Sequence, residues 1–328
     1  MISIVHSIAV NGLDSTIIDV EVDINNGLPA FTIVWLPDQW VQESKERLRS
    51  AMKSCNSKLP TSRITVNLAP ADIKKSGPCF DLPIAIGILL NAGYIWENEI
   101  VEGSIFLWEL ALDGKLRQVG WVLPATIWAQ QKWYSKIFIP KDNALEASII
   151  PDIDVIAVDN LRDIIDILNG DKEMIIQDTI DFPQVIKNNQ DNSPVWKKYN
   201  FNLVLGQEHA KRALEVAAAG GHNIIMSWPP GSGKTMLAKT FSTILPELTI
   251  DEAIEVSKLY SISGLLSNEN PIITHRPFRS IHHTASSISI IGGWRNAKPW
   301  EISLSHKGVL FMDEILEFHK WVLEVLRQ

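Results

Sequence analysis

Apolar and polar residues alternate at the start of the chain with the two-residue period of β-strands. The β-branched runs Ile2–Val10, Ser15–Ile24 and Ala30–Leu36 are separated by Asn11-Gly12 and Asn26-Gly27, which are dipeptides typical of tight turns. The pattern therefore predicts a meander of antiparallel strands.

After these runs the pattern changes to the period of a helix. Asp38 is in a capping position, and Val41, Leu48, Met52 and Cys55 follow on one helical face. Farther along, the two periods alternate, which predicts a fold of class α/β. The expected strands are Arg63–Ala69, Ile105–Leu110, Lys136–Ile139 and Asp154–Val158, and the expected helices are Leu82–Ala92, Leu123–Lys132 and Leu161–Leu168.

The periodic pattern lapses between Gly170 and Asn202, where Asn, Asp, Lys and Pro dominate. We interpret residues 171–200 as a linker between a first domain, 1–170, and a second domain, 201–328. In the second domain we expect a helix at Gln207–Ala219, a strand at Asn223–Ser227 and another strand at Val309–Met312.

Candidate chemistry begins directly after the strand expected at Asn223–Ser227. The segment Gly231-Ser-Gly-Lys-Thr235 is most of a P-loop, in which backbone N–H groups surround phosphates, the lysine reaches the outer phosphates and the hydroxyl binds Mg²⁺. It predicts ATP and Mg²⁺ as cofactors. Trp228 stands where the pattern has its first glycine, so we expect weakened ATP binding. The expected nucleotide contacts are Pro230, Gly231, Ser232, Gly233, Lys234, Thr235 and Met236.

The segment Gly308-Val-Leu-Phe-Met-Asp-Glu314 supplies acidic partners for this loop. We expect Thr235 and Asp313 to hold Mg²⁺, and Lys234 and Glu314 to be the catalytic residues, with Glu314 polarising the attacking water. The alternative for the acidic pair is a charged strand end that faces solvent.

Composition is that of an ordinary globular protein, with 46% hydrophobic and 21% charged residues. A membrane-spanning run and a signal peptide are both lacking, so we expect a cytoplasmic protein without a membrane partner. The net charge of −8 neither supports nor excludes DNA binding.

Three further groups of residues are candidates for chemistry. Adjacent strand residues point to opposite faces, so His282 and His283 are not expected to share a metal, and a polar loop is the simpler interpretation. The positive cluster of His275, Arg276 and Arg279 is a candidate contact for a polyanion. Cys79 lacks a histidine nearby in sequence that could activate it, and we interpret it as an inert thiol.

The chain resembles the Mg-chelatase-like AAA+ ATPases of the ComM/YifB type along its whole length. In the first half the resemblance is carried by Leu36-Pro-Asp38, Glu43–Arg47, Arg63–Asp72, Gly77-Pro78 and Phe80–Ala85. In the second half it is carried by Gly206-Gln207, Gly231–Thr235, Arg276–Arg279, His282–Thr284, Glu301–Leu304 and Gly308–Glu314.

The resemblance implies a ribosomal-S5-domain-2-like α+β domain, shared with the Lon protease domain, followed by a P-loop AAA+ domain with a parallel sheet. It implies a homo-hexameric ring that acts on branched or single-stranded DNA, as a branch-migration helicase in natural transformation. The alternatives are a magnesium-chelatase-type motor that remodels a protein partner, and a scaffold without catalysis.

Two departures from the family qualify what the resemblance implies. Tryptophan stands where the family typically has glycine, at Trp35, Trp108, Trp228, Trp294 and Trp300. The sequence ends at Gln328, so the family's arginine finger, lid and C-terminal domain are expected to be absent and turnover is expected to be impaired.

Overall fold

The computed structural model describes residues 2–34, 39–71, 73, 75, 78–96, 98–181, 185, 199–229, 231, 233–267, 270–285 and 299–326. The chain divides into two compact units. Unit 1 comprises Met1–Ile180 and Ser267–Pro271, and unit 2 comprises Asp181–Leu266 and Ile272–Gln328.

Unit 1 is built on a seven-stranded sheet with the strand order β3-β4-β2-β1-β5-β6-β7. The strands are β1 (Ile2–Asn11), β2 (Asp14–Asn25), β3 (Ala30–Val34), β4 (Arg63–Ala69), β5 (Ser104–Phe106), β6 (Lys136–Pro140) and β7 (Asp154–Val158). The pairs β3–β4, β1–β5, β5–β6 and β6–β7 are parallel, whereas β1–β2 and β2–β4 are antiparallel. The predicted α/β class is confirmed.

The predicted antiparallel meander is correct for its first hairpin and wrong for β3. Gly12, with φ of +66°, closes the turn between β1 and β2. Strand β4 lies between β2 and β3, and β3 pairs with it in parallel. Parallel neighbours need a crossover connection, and the helix after β3 supplies it.

The described residues of unit 1 form six α-helices. They are α1 (Gln39–Ser54), α2 (Asp81–Asn91), α3 (Glu99–Glu102), α4 (Val122–Gln131), α5 (Ala144–Ala147) and α6 (Leu161–Leu168). Leu48, Met52 and Cys55 are buried, as the helical pattern predicts, whereas Asp38 and the Val41 side chain lie outside what the structure describes. The remaining predicted helices and strands of this unit are confirmed, except that β5 is shorter than expected.

The shortening of β5 has a local cause. Instead of continuing a strand ladder, Trp108 N–H donates to the carbonyl of Cys79 at 2.8 Å, and the Trp108 carbonyl accepts from Leu82 N–H at 3.1 Å. These bonds tie the chain after β5 to the start of α2. Helix α2 is buried from Asp81 to Leu89 and lies against β1 and β2 at the centre of the core.

Unit 2 contains helices α7 (Glu208–Gly220), α8 (Lys234–Phe241), α9 (Ile250–Ile262), α10 (Glu301–Leu304) and α11 (Lys320–Val325), and strands β8 (Phe278–Ile281) and β9 (Val309–Met312). The two strands pair in parallel, with Ile281 opposite Met312. In the described chain, no helix combines the length and apolarity needed to cross a membrane.

One predicted element of unit 2 does not form among the described residues. The segment Asn223–Ser227 has no strand pairing in the described part of the chain, and Ile225 is 83% exposed. A strand needs a hydrogen-bonded neighbour as well as an apolar sequence. The predicted helix at Gln207–Ala219 and the predicted strand at Val309–Met312 are both confirmed.

Candidate nucleotide site

The glycine-rich loop leads directly into α8. Gly231 and Gly233 have φ of +77° and +86°, a conformation that costs glycine little and other residues more. Gly233 is the residue before the first helical turn, so the free N–H groups and the positive dipole end of α8 lie beside the loop. Pro230 and Ser232 lie outside the described residues.

Lys234 is turned back onto its own loop. Its Nζ donates to the carbonyl of Trp228 at 2.8 Å and lies 3.5 Å from the carbonyl of Pro229. Thr235 and Met236 are exposed on the first turn of α8. The ammonium group is therefore held by neutral acceptors that a phosphate oxygen, which is charged, would outcompete.

The acidic pair lies at the carboxyl end of β9. Asp313 Oδ1 accepts from the Glu314 N–H at 3.1 Å, and Glu314 has a φ of +55° with a side chain that is 62% exposed. The exposure of Glu314 agrees with the alternative interpretation, a charged strand end that faces solvent. Its carboxylate nonetheless has a neighbour, because Oε2 lies 3.2 Å from Nδ1 of His283.

A cavity of about 790 Å³ in unit 2 brings these groups together. Lys234, Asp313, Glu314 and His283 all line it. Glycines 231 and 233, Thr235 and Met236 do not line it and lie on the loop and helix beside it. An ammonium and two carboxylates around one cavity can neutralise phosphate charge, hold a divalent cation and activate water.

The donors available for a metal fit Mg²⁺. Mg²⁺ takes oxygen ligands and is usually held by one or two carboxylates together with phosphate oxygens and water. Asp313 is partly buried and forms no ion pair with a described lysine or arginine. Its carboxylate and the exposed Thr235 hydroxyl are therefore suitable ligands.

Trp228 packs into a small apolar cluster of unit 2. The buried members of this cluster are Val204, Leu214 and Leu237. The φ of Trp228 is not in the left-handed region, so its indole causes no backbone strain of that kind. The indole turns toward the following helix, because Leu237 belongs to α8.

The positive cluster predicted for a polyanion is neutralised within unit 2. Arg279 makes a two-pronged contact with Glu301, with Nε to Oε2 at 2.6 Å, and Arg276 Nη2 lies 3.1 Å from Glu252 Oε2. Burial lowers the pKa of His275, which favours its neutral form. Both guanidinium groups are therefore ion-paired, and a contact of these three side chains with a polyanion stays a prediction.

Cys79 agrees with its interpretation as an inert thiol. It is a buried thiol that forms no disulfide, and burial together with the nearby Asp81 carboxylate raises its pKa to about 12. A thiol with such a pKa is almost entirely un-ionised at neutral pH, and the thiol is a far weaker nucleophile than the thiolate.

His282 and His283 were expected not to share a metal, and that argument is wrong. They follow β8 in a turn, where the strand rule of alternating faces no longer holds. One nitrogen from each ring and one oxygen of Glu314 lie within 4.8 Å of one another. The parallel register that pairs Ile281 with Met312 brings the residues after both strands to one edge. Sequence reasoning missed this contact, and the pairing of the two strands is the signal that finds it.

Comparison with known proteins shows which families and relatives this chain is similar to. A family model described as "Magnesium chelatase, subunit ChlI" matches residues 200–328, and one described as "Subunit ChlI of Mg-chelatase" matches residues 20–143. The chain is 43% identical to competence protein ComM of Haemophilus influenzae over 100% of its own length and 63% of that protein. It is 38% identical to the YifB protein of Escherichia coli, over 100% of the chain and 62% of that protein. The chain thus spans less than two thirds of the curated relatives it matches.

Proposed function

Because the chain belongs to the Mg-chelatase-like family that includes ComM and YifB, we propose that it is an AAA+ ATPase whose ATP hydrolysis drives a motor on DNA. The observation that carries the ATPase proposal is the convergence of Lys234, Asp313 and Glu314 on one cavity beside the N-terminus of α8. We also propose that residues 1–170 are a Lon-like domain and that residues 201–328 belong to the AAA+ module.

Each residue has a role that follows from its charge and position. Lys234 exchanges the Trp228 carbonyl for phosphate oxygens and neutralises charge on the outer phosphates. Thr235 and Asp313 hold Mg²⁺, which supplies further neutralisation of the phosphates. Glu314 orients and polarises the attacking water, which requires its carboxylate to turn from His283 toward the nucleotide.

The second part of the proposal concerns the partner on which the motor acts. A relative that is 43% identical is named a competence protein, which supports an action on DNA, and we propose branched or single-stranded DNA and a homo-hexameric ring. The two chelatase family models support the alternative, a motor that remodels a protein partner. Arg276 and Arg279 are occupied by Glu252 and Glu301, so their charge does not favour the DNA partner.

ATP binding and turnover, with and without forked DNA, test these proposals. We expect Lys234→Ala to abolish Mg-ATP binding, and Glu314→Gln to keep ATP bound while losing hydrolysis. Glu324→Gln, an exposed carboxylate on α11, is the matched control and is expected to behave as the unaltered chain.

The results of these measurements distinguish between the proposed functions. Unchanged ATP affinity in Lys234→Ala contradicts the nucleotide site, and unchanged turnover in Glu314→Gln removes Glu314 from the mechanism. Turnover that is indifferent to DNA contradicts the DNA motor and leaves the protein-remodelling alternative.

A further inference from the structure

Two histidines and one glutamate form a compact cluster at the edge of the nucleotide cavity. His282 and His283 follow β8, and Glu314 follows β9. One potential ligand atom from each lies within 4.8 Å of the others, and the two imidazole rings have centroids 4.1 Å apart. The cluster draws its ligands from the ends of two paired strands, which hold them in a defined register.

The contacts of the two histidine rings favour metal binding. Nδ1 of His283 is buried and has no hydrogen-bond partner among the described residues, although Glu314 Oε2 lies within ion-pair distance of it at 3.2 Å. Nδ1 of His282 lies 2.9 Å from the Thr284 hydroxyl and accepts from the Thr284 N–H at 3.4 Å. Metal binding at the other ring nitrogen places the proton on Nδ1, which then donates to the hydroxyl, as metal-binding histidines commonly do toward an outer partner.

We propose that His282, His283 and Glu314 bind a divalent transition metal of the zinc type. Imidazole nitrogen suits Zn²⁺, Co²⁺ and related ions better than Mg²⁺, which prefers oxygen. With zinc–ligand bonds of about 2.1 Å, tetrahedral ligand atoms lie about 3.4 Å apart, so small side-chain rotations close the observed cluster. The fourth position is left to water.

The site has a consequence that rests on the proposed function. The carboxylate assigned to water activation is also a ligand of this metal, and it cannot do both at once. Zinc therefore holds Glu314 on the His283 side of the cavity and inhibits ATP turnover. Mg²⁺ does not have this effect, because Asp313 and Thr235 supply its oxygens.

Cobalt absorption tests the site without reference to ATP. Co²⁺ bound by two imidazoles and a carboxylate in a four- or five-coordinate site shows intense visible bands that the aqueous ion lacks. We expect these bands with the full chain in excess Mg²⁺, and we expect Zn²⁺ to abolish them by displacement. A spectrum identical to that of aqueous Co²⁺ overturns the proposal.

Variants then assign the ligands. We expect His282→Ala and His283→Ala each to weaken Zn²⁺ binding, measured by calorimetry, at least about tenfold. His319→Ala removes an exposed histidine five residues from Glu314 and is the matched control, expected to bind as the unaltered chain. Equal Zn²⁺ affinity in all variants overturns the assignment, and circular dichroism shows whether each variant is folded.

The two proposals can fail separately. Cobalt bands without any ATP binding support the metal site and contradict the proposed ATPase. ATP turnover that needs Glu314, in a chain that neither binds Zn²⁺ nor is inhibited by it, supports the ATPase and contradicts the metal site.

A second, independent observation concerns the backbone at two tryptophans. Helices α1, α2, α4, α6 and α9 end in the same pair of hydrogen bonds, the Schellman motif, whose C′ residue takes the left-handed conformation. In α1 that residue is Asn56, a type that also tolerates this conformation. That residue is Gly93, Gly170 or Gly264 in three of the helices, with φ of +76°, +80° and +68°. In α4 it is Trp133, with φ of +67°.

Trp121, just before α4, is a second tryptophan in the left-handed conformation, with φ of +62°. A left-handed conformation is an outlier for a bulky aromatic residue and ordinary for glycine. Trp133 is 94% exposed, so no packing compensates for its strain. The codon UGA is read as tryptophan in some genetic codes and as glycine in others. We infer that residues 121 and 133 are encoded by UGA and are glycine in the protein made by its own cell.

Two measurements test this inference. Mass spectrometry of the protein from its own cell is expected to show glycine in the peptide that covers residue 133, and tryptophan there overturns the inference. In the recombinant chain, Trp133→Gly is expected to raise Tm by roughly 2–8 °C, since left-handed strain is relieved. Trp96→Gly, at an exposed position without positive φ, is the control and is expected not to raise Tm. An unchanged Tm in Trp133→Gly contradicts the conformational argument.

Discussion

Arg47 Nε donates to Asp81 Oδ2 at 2.7 Å, and this contact joins α1 to the first residue of α2. The Asp81 side chain is fully buried and that of Arg47 is 15% exposed. Burial raises the pKa of Asp81, although the guanidinium opposes the shift. Both residues lie in segments that carry the family resemblance, which gives those segments a structural role in the core.

Removing one partner of this pair is expected to destabilise unit 1. Arg47→Met leaves the Asp81 carboxylate buried without its guanidinium, and such a loss costs about 3–5 kcal/mol. Urea unfolding followed by circular dichroism measures it. Arg49→Met, an exposed arginine on the same helix, is the control and is expected to change stability by less than about 0.5 kcal/mol. Equal effects of the two substitutions contradict the role of the pair.

Trp228→Gly is expected to raise ATP affinity at least about tenfold, or about 1.4 kcal/mol. The indole anchors the loop to the apolar cluster around Leu237, and its removal frees the backbone to wrap the phosphates. Calorimetry in excess Mg²⁺, with Trp96→Gly as control, measures the change. Equal affinities of the unaltered chain and Trp228→Gly show that the loop tolerates tryptophan.

Cys79 is expected to be unreactive in the folded chain. Its pKa of about 12 leaves almost no thiolate at pH 8, and burial excludes reagents. Iodoacetamide labelling mapped by mass spectrometry is expected to be negligible in buffer and complete in urea.

We expect no peptide hydrolysis by unit 1, because the Cys79 thiol is buried and un-ionised. Hydrolysis that disappears in Cys79→Ala is the contrary result.

His275 is expected to make unit 2 sensitive to acid. Its pKa in the folded chain is lowered from 6.5 by burial, so the unfolded chain binds the proton first. Stability is therefore retained above pH 6.5 and lost as the pH falls from 6.5 through the lowered value. Urea unfolding of unit 2 at several pH values measures this loss, and His275→Gln is expected to reduce it. If the stability of unit 2 falls with pH equally in the unaltered chain and in His275→Gln, groups other than His275 cause the loss.

Local patterns in the amino-acid sequence were sufficient to predict most elements of this protein. Strand β4 at Arg63–Ala69, strand β7 at Asp154–Val158 and helix α6 at Leu161–Leu168 have the predicted bounds. Side-chain periodicity arises within each segment, so it can be read without knowing the neighbours. The glycine-rich loop and the acidic pair were found for the same reason, since both are contiguous motifs.

Pairing between distant segments was decided only by the tertiary structure. It placed β4 between β2 and β3, left Asn223–Ser227 without a strand partner in the part of the chain that the structure describes, and brought His283 to Glu314. Strand pairing depends on long-range hydrogen bonds and on the burial of facing surfaces, which no short window contains. The register that sets Ile281 against Met312 is such a long-range property, and it assembles the candidate metal ligands.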